Sequence, residues 1–265
     1  MENIKKQTIV SVARKLRLLP LLEKINFLVV AKKWCPLNRQ YTKNNQVKLT
    51  YPPLYLMYDA YANCSYEIYD KTGLSDAQLI MQIIRKYNDN KQLTICEFGC
   101  GPARIIRHLH STDKDIARLI GTDYNIKTIE YCKKFVPNVD FFTNQLSPPL
   151  NLPDNSIDVL YCVSVFTHLS KEMHFEWIKE IRRVLKPGGL FIGSFHGDNL
   201  YDKLLPDEKN KYLSGEIVER GNAKEGSRLY VAFHSDAFMK NKLLVDFDFI
   251  YKENTSFIQT IWCAK

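Results

Sequence analysis

Glu97, Gly99, Cys100, Gly101 and Asp123 are the residues whose types and spacing point most directly to chemistry. Glu97 stands near the end of an apolar run (Leu93, Ile95, Cys96, Phe98), and two glycines around one small residue follow at once. Glycines there let a ligand approach the backbone closely. A dinucleotide-binding turn would need a third small residue three places after the second glycine, where the helix meets pyrophosphate. That position is Arg104. A carboxylate at Glu97 repels phosphate and favours a cation, so the turn fits a nucleoside without phosphates that carries positive charge. Asp123 lies 24 residues after Gly99, close to the ~20 expected of an acid that binds ribose hydroxyls. Two such charge-assisted bonds contribute about 1.5 to 3 kcal/mol each. The competing reading of Asp123 is a cap for a helix starting near Asn125. Asn144 and Gln145 offer amides that can read an adenine edge.

These side chains need a sheet to hold them. The run ending at Phe98, the glycine turn and a helical stretch from Arg104 to Leu109 make one β-α unit. Leu119 to Asp123 predicts a second strand, Val139 to Thr143 a third, and Ile157 to Val163 a buried fourth that ends at Ser164. Phe175, Ile178, Ile181 and Leu185 share one face of a helix over Lys171 to Leu185. The segment LKPGGL then forces a turn before a fifth strand, Leu190 to Phe195. Near the C-terminus Ser235 caps a helix over Asp236 to Leu243. Leu244 to Tyr251 and Ser256 to Ala264 alternate as a strand pair around Glu253 and Asn254.

The acidic residue with GxG, the acid ending the second strand, and the helix, Lys-Pro-Gly-Gly, strand sequence together resemble the class I S-adenosylmethionine-dependent methyltransferases, over Leu93 to His196. The resemblance implies a Rossmann-like, seven-stranded, mostly parallel sheet whose last strand is antiparallel. It implies S-adenosylmethionine as cofactor and S-adenosylhomocysteine as product, held by Glu97, Gly99, Cys100, Gly101, Asp123, Tyr124, Asn144, Gln145 and Ser164. Cys100 reads as a small spacer rather than a nucleophile. The strings YPPLYLMYDAYANCSYEIYDKTG, GCGPARIIRHL, GTDYN and SVFTHL are similar to a bacterial subgroup associated with surface-polysaccharide genes, which implies a hydroxyl of a sugar or glycan-linked small molecule as acceptor. A lipid or other membrane-borne acceptor, and a non-catalytic scaffold, are the alternatives.

Methyl transfer from a sulfonium is an in-line displacement in which the enzyme positions the reactants and excludes water. An acceptor hydroxyl needs a base. His168 and His196 follow the fourth and fifth strands, at the carboxyl ends where open α/β sheets bind ligands, and each is a candidate, with Asp198 as an orienter. Six tyrosines fall between Tyr51 and Tyr69, and Tyr55, Tyr58, Asp59 and Tyr66 are the expected acceptor contacts. The insertion 198–234 is long for a loop after the fifth strand and reads as a lid.

Composition places these parts in a globular chain of 265 residues with 45% apolar content. Residues 1–72 read as a basic helical extension with a tyrosine-rich cap, and 73–265 as the ligand-binding domain. Residues 1–48 carry a net charge of +9 while the whole chain carries +8, so the rest is near neutral. That neutrality speaks against a nucleic-acid partner. Ile9, Val12, Ala13, Leu16 and Leu19, then Leu21, Ile25, Leu28 and Val29 after Pro20, predict a pair of helices. They either pack on the domain with a solvated basic face or, through residues 1–34, contact an anionic membrane surface. The uncharged apolar run Ile25 to Ala31 falls far short of the ~18 residues of a membrane span. Seven cysteines form no CxxC pair, which argues for a reducing, cytoplasmic setting and no metal site.

Overall fold

The computed structural model describes residues 14, 18–45, 50–253 and 259–265. Its centre is a seven-stranded sheet built from β1 (Leu93–Phe98), β2 (Ile116–Asp123), β3 (Asp140–Thr143), β4 (Ile157–Cys162), β5 (Leu185–Phe195), β8 (Ile250–Glu253) and β9 (Thr260–Ala264). The strand order is β3-β2-β1-β4-β5-β9-β8. The first five strands run parallel, and β9 pairs antiparallel with both β5 and β8. The order reverses at β1, so the carboxyl ends of β1 and β4 flank the crevice where such sheets bind ligands.

Successive strand residues point to opposite faces, and the core divides accordingly. Ile95, Leu119, Val159 and Ile192 pack with Ile80 and Ile84 of α3 (Tyr66–Tyr87), Ile106 and Leu109 of α4 (Ile106–Thr112), and Ile129 of α5 (Ile126–Phe135). Cys96, Ile120, Leu160 and Phe191 pack with Trp177, Ile178 and Ile181 of α6 (Lys171–Val184). Side-chain oxygens satisfy orphan backbone donors at three helix starts. Ser65 accepts from Ile68 N (3.2 Å), Asn125 from Lys127 N (3.2 Å) and Ser170 from Met173 N (3.4 Å).

Some local expectations change. The helix after the glycine turn begins at Ile106 rather than Arg104. The Lys-Pro-Gly-Gly segment does not break the fifth strand: β5 starts at Leu185 opposite Ile157, and the extra residues are absorbed before Leu190 pairs with Val159. The strand expected from Leu244 is confined to β8, while Ser256 and the expected Asn254 turn lie outside the described residues. The expected C-terminal helix does start at Ser235, whose Oγ accepts from Phe238 N, but it widens into π-helical turns over Met239–Leu243.

Ahead of the sheet, α1 (Leu19–Asn44) is one continuous helix, and α2 (Leu54–Tyr61) follows. Ile9, Val12, Ala13 and Leu16 of the expected first helix lie outside the described residues. The insertion 198–234 folds as α7 (Pro206–Leu213) and the two-stranded β6 (Val218–Arg220) and β7 (Val231–Phe233).

Candidate active site

One cavity of about 180 Å³ opens at the carboxyl ends of β1, β2 and β4. Its lining brings together Glu97, Gly99, Cys100, Gly101, Asp123, Tyr124, Asn144, Gln145, Ser164 and His168. Gly99 and Gly101 have φ of 71° and 50°, a region that favours glycine. A Cβ at Gly99 would lie 2.3 Å from Val165 Cγ2, so the turn has no room for a side chain.

Two carboxylates organise this turn from below. Glu97 is 3% exposed, and its Oε2 accepts from Ile106 N at the start of α4 (3.1 Å). Burial pushes its carboxyl up to about 8, against the opposing influence of the Tyr161 hydroxyl and Arg104. Asp123 accepts from Gly101 N (2.9 Å) and Asn125 N (2.8 Å), so it joins the glycine turn to the start of α5 while still facing the cavity. Both readings of Asp123, as cap and as ligand acid, are thus open to one side chain. Burial raises it to about 6 despite those two bonds.

Three observations show that the residues fit S-adenosylmethionine. The glycine turn leaves backbone where a side chain would stand. The buried Oδ1 of Asn144 has no partner while its amide donates to Gln145 O (2.6 Å), which leaves an acceptor for an adenine amino group. Among the described residues no basic side chain forms an ion pair with Glu97, so a cationic group entering the cavity would meet an unpaired carboxyl. Cys100 is a buried thiol whose pKa is raised by burial, in keeping with a spacer.

His168 sits in a short turn after β4 and lines the cavity. Its Nδ1 is 2.8 Å from Tyr230 O. A carbonyl only accepts, so Nδ1 carries the proton and Nε2 keeps its lone pair. Burial, with Arg228 adding to it, lowers its pKa, so the ring is neutral near pH 7. His196 does not line the cavity. Its Nδ1 faces Ala232 O (3.1 Å), its ring packs on Phe233, and burial lowers its pKa to about 4. Asp198 accepts from Tyr212 and Lys252 and orients neither histidine.

The tyrosine cluster divides. Asp59 lines the cavity, while Tyr55, Tyr58 and Tyr66 do not. Tyr55 is 47% exposed, and Tyr66 stacks on Tyr51 at 3.9 Å. Tyr58 is buried in a clasp: it donates to Glu23 (2.9 Å), accepts from Asn26 (2.6 Å) and lies under Arg228, which pairs with Glu23. Tyr61 and Arg228 do line the cavity, and sequence reasoning missed them. Tyr61 shared the cluster's spacing and was the findable one; Arg228 carried no signal, because its partner Glu23 lies 205 positions away. The insertion closes on the site through Gly226 N to His168 O (2.9 Å) and Tyr124 hydroxyl to Gly226 O (3.1 Å). Arg104 is structural: it pairs with Asp76 (2.6 Å) and covers the Tyr61 ring.

Where the insertion meets α6 stands a buried histidine pair that the sequence did not reveal. His174 Nε2 is 2.7 Å from His234 Nε2, and His174 Nδ1 is 2.6 Å from Ser170 O. His174 must donate from Nδ1, so His234 donates to it and His234 Nδ1 is left unpartnered.

Residues 96–193 match the family model described as "Methyltransferase domain". A probable S-adenosylmethionine-dependent methyltransferase of Mycolicibacterium smegmatis is 36% identical over 103 residues, covering 38% of this chain and 37% of the relative. The tRNA(Thr) (cytosine(32)-N(3))-methyltransferase of Saccharomyces cerevisiae is 27% identical over 177 residues, covering 60% of this chain and 27% of the relative. The chain thus spans less than two fifths of the length of either. The crystal structure of the magnesium protoporphyrin IX methyltransferase of Synechocystis with bound SAH shares the fold at a TM-score of 0.50 and 16% identity, covering 74% of this chain and 84% of the other. Residues 96–193 thus match a methyltransferase domain, and the seven-stranded sheet has the fold of solved methyltransferases. Neither acceptor named for these proteins is a glycan, and one is a tRNA, so the expected glycan acceptor and polysaccharide subgroup, and the expected exclusion of nucleic acid, gain no support.

Proposed function

We propose that this chain catalyses methyl transfer from S-adenosylmethionine to an acceptor that loses a proton to His168 Nε2. The observation that carries the reading is the convergence, in one cavity, of an unmatched buried carboxylate, a side-chain-free turn, an orphaned amide oxygen and a neutral histidine with a free lone pair. The cofactor, when bound, supplies an electrophilic methyl group on a sulfonium. Glu97 would hold the positive end, Asp123 the ribose hydroxyls, and Asn144 the adenine edge. Tyr124 and Arg228, fixed by lid and clasp, exclude water beside His168. A hydroxyl, or another group as weakly acidic, is the acceptor atom this base serves. A sugar hydroxyl satisfies that chemistry, but no cavity residue singles out a sugar.

The test is a calorimetric titration with S-adenosylhomocysteine followed by a product assay. Wild type should bind, and Asp123→Ala should weaken binding by tenfold or more, as expected for loss of about 1.5 to 3 kcal/mol per charged hydrogen bond. Unchanged affinity would remove the cofactor placement. Binding without turnover on any acceptor would favour the scaffold reading.

A further inference from the structure

The outward face of α1 has no role in the cavity. Leu18, Leu21, Leu22, Ile25, Leu28 and Val29 recur at three- and four-residue spacing and so form one stripe along the helix. All are exposed, from 45% at Leu18 to 65% at Leu28. The inward face is occupied by Leu19 and Asn38, both buried, and by Glu23 and Phe27 against Tyr58. Among the described residues nothing covers the stripe.

Charge decides what kind of surface the stripe fits. The one acid of α1, Glu23, is turned inward and paired with Arg228. Lys24, Lys32 and Lys33 are all exposed beside the aliphatic row. An aliphatic row with a wholly basic margin matches the boundary between anionic headgroups and acyl chains. RNA would take the lysines but leave six aliphatic side chains in water. A second copy of α1 would bring lysine against lysine. The helix is not long and apolar enough to cross a bilayer.

We infer that α1 docks peripherally on an anionic membrane surface through this stripe. The same helix carries Glu23, which holds the cavity residue Arg228, so the docked element is joined to the acceptor side of the site. The inference stands on the surface alone and does not require the methyl-transfer reading.

The test is sedimentation of the full chain with vesicles of phosphatidylcholine, with and without phosphatidylglycerol. Wild type should pellet with the phosphatidylglycerol vesicles only, and less so as salt rises. Leu21→Ser/Leu28→Ser/Val29→Ser should abolish pelleting. Lys24→Glu/Lys32→Glu/Lys33→Glu should weaken it by on the order of a hundredfold. Both variants should keep the wild-type melting temperature and S-adenosylhomocysteine affinity, since every altered side chain faces solvent. Failure of wild type to pellet with phosphatidylglycerol overturns the inference. So does a dimer that the serine variant dissociates, or a tRNA gel shift that the glutamate variant loses, without vesicle binding. Vesicle binding without S-adenosylhomocysteine binding would overturn the proposed function and leave this surface standing.

Discussion

Replacing Glu97 by glutamine separates a carboxylate kept for the fold from one kept for a ligand. Burial raises this group from 4.5 to about 8. Its folded pKa exceeds its unfolded one, so the native state binds the extra proton: the stability tied to that proton is fully present below 4.5 and lost as pH rises through about 8. At ~1.4 kcal/mol per unit, holding the charge in the folded protein costs on the order of 5 kcal/mol at the alkaline end. Glutamine keeps an oxygen for Ile106 N and carries no charge, so the variant should avoid most of that cost. Urea unfolding, with and without the substitution, should give a stability difference that favours the variant and grows with pH across the window from 4.5 to about 8. Other titrating groups cancel in that difference. The same variant should bind S-adenosylmethionine tenfold to a hundredfold more weakly, by loss of about 1.5 to 3 kcal/mol from a charged contact. A less stable variant with unchanged affinity would refute the reasoning, since it would make Glu97 a structural residue only.

Three further outcomes follow from the geometry. His168→Ala should lower kcat by about a hundredfold to ten-thousandfold while S-adenosylhomocysteine affinity measured by calorimetry holds, and the wild-type kcat at saturating cofactor should fall on the acid side only below the ordinary histidine range, because burial lowers this pKa. Gly99→Ala puts a Cβ 2.3 Å from Val165 at positive φ, so it should lose cofactor binding and lower the melting temperature, with partial recovery in Gly99→Ala/Val165→Ala. His174 is held neutral with its pKa lowered to about 4, so the unfolded state takes up the proton first and stability should fall as pH drops from 6.5 toward 4; His174→Gln should flatten that limb in acid-unfolding curves.

Local rules made the sheet and the cofactor side of the cavity readable. Continuous apolar runs located the strands through Ile95, Ile120 and Leu160, because a parallel sheet covered on both faces buries nearly every strand residue, and each candidate cofactor ligand stands at or beside a strand end. The acceptor side was not readable, because its contacts join distant segments. Glu23 meets Arg228, Gly226 N meets His168 O, and His174 meets His234, and no periodicity encodes such pairs. The tyrosines share a composition that predicts half-burial without saying which ring faces the cavity. Only burial and partners separate Tyr61, on the cavity, from Tyr66, stacked away from it. The Lys-Pro-Gly-Gly turn was misplaced for another reason: a parallel strand can take up extra residues without leaving the sheet.

Whether a buried charge finds its partner inside the chain distinguishes the fold's charges from the site's. Arg104 and Glu97 are both largely buried at the same turn. Arg104 meets Asp76 at 2.6 Å and Thr72 at 2.9 Å, so its charge is met within the protein and its contribution is to hold α3 against the turn. Among the described residues Glu97 receives one backbone N–H and Asp123 two, and neither forms an ion pair, yet both stand in the cavity with raised pKa values. A neutral residue would make the same caps at lower cost. A carboxyl that burial holds toward its protonated form, where a neutral residue would fold as well, is compensated only from outside the chain, and the proposed ligand, cationic beside Glu97 and rich in hydroxyls beside Asp123, would supply that compensation.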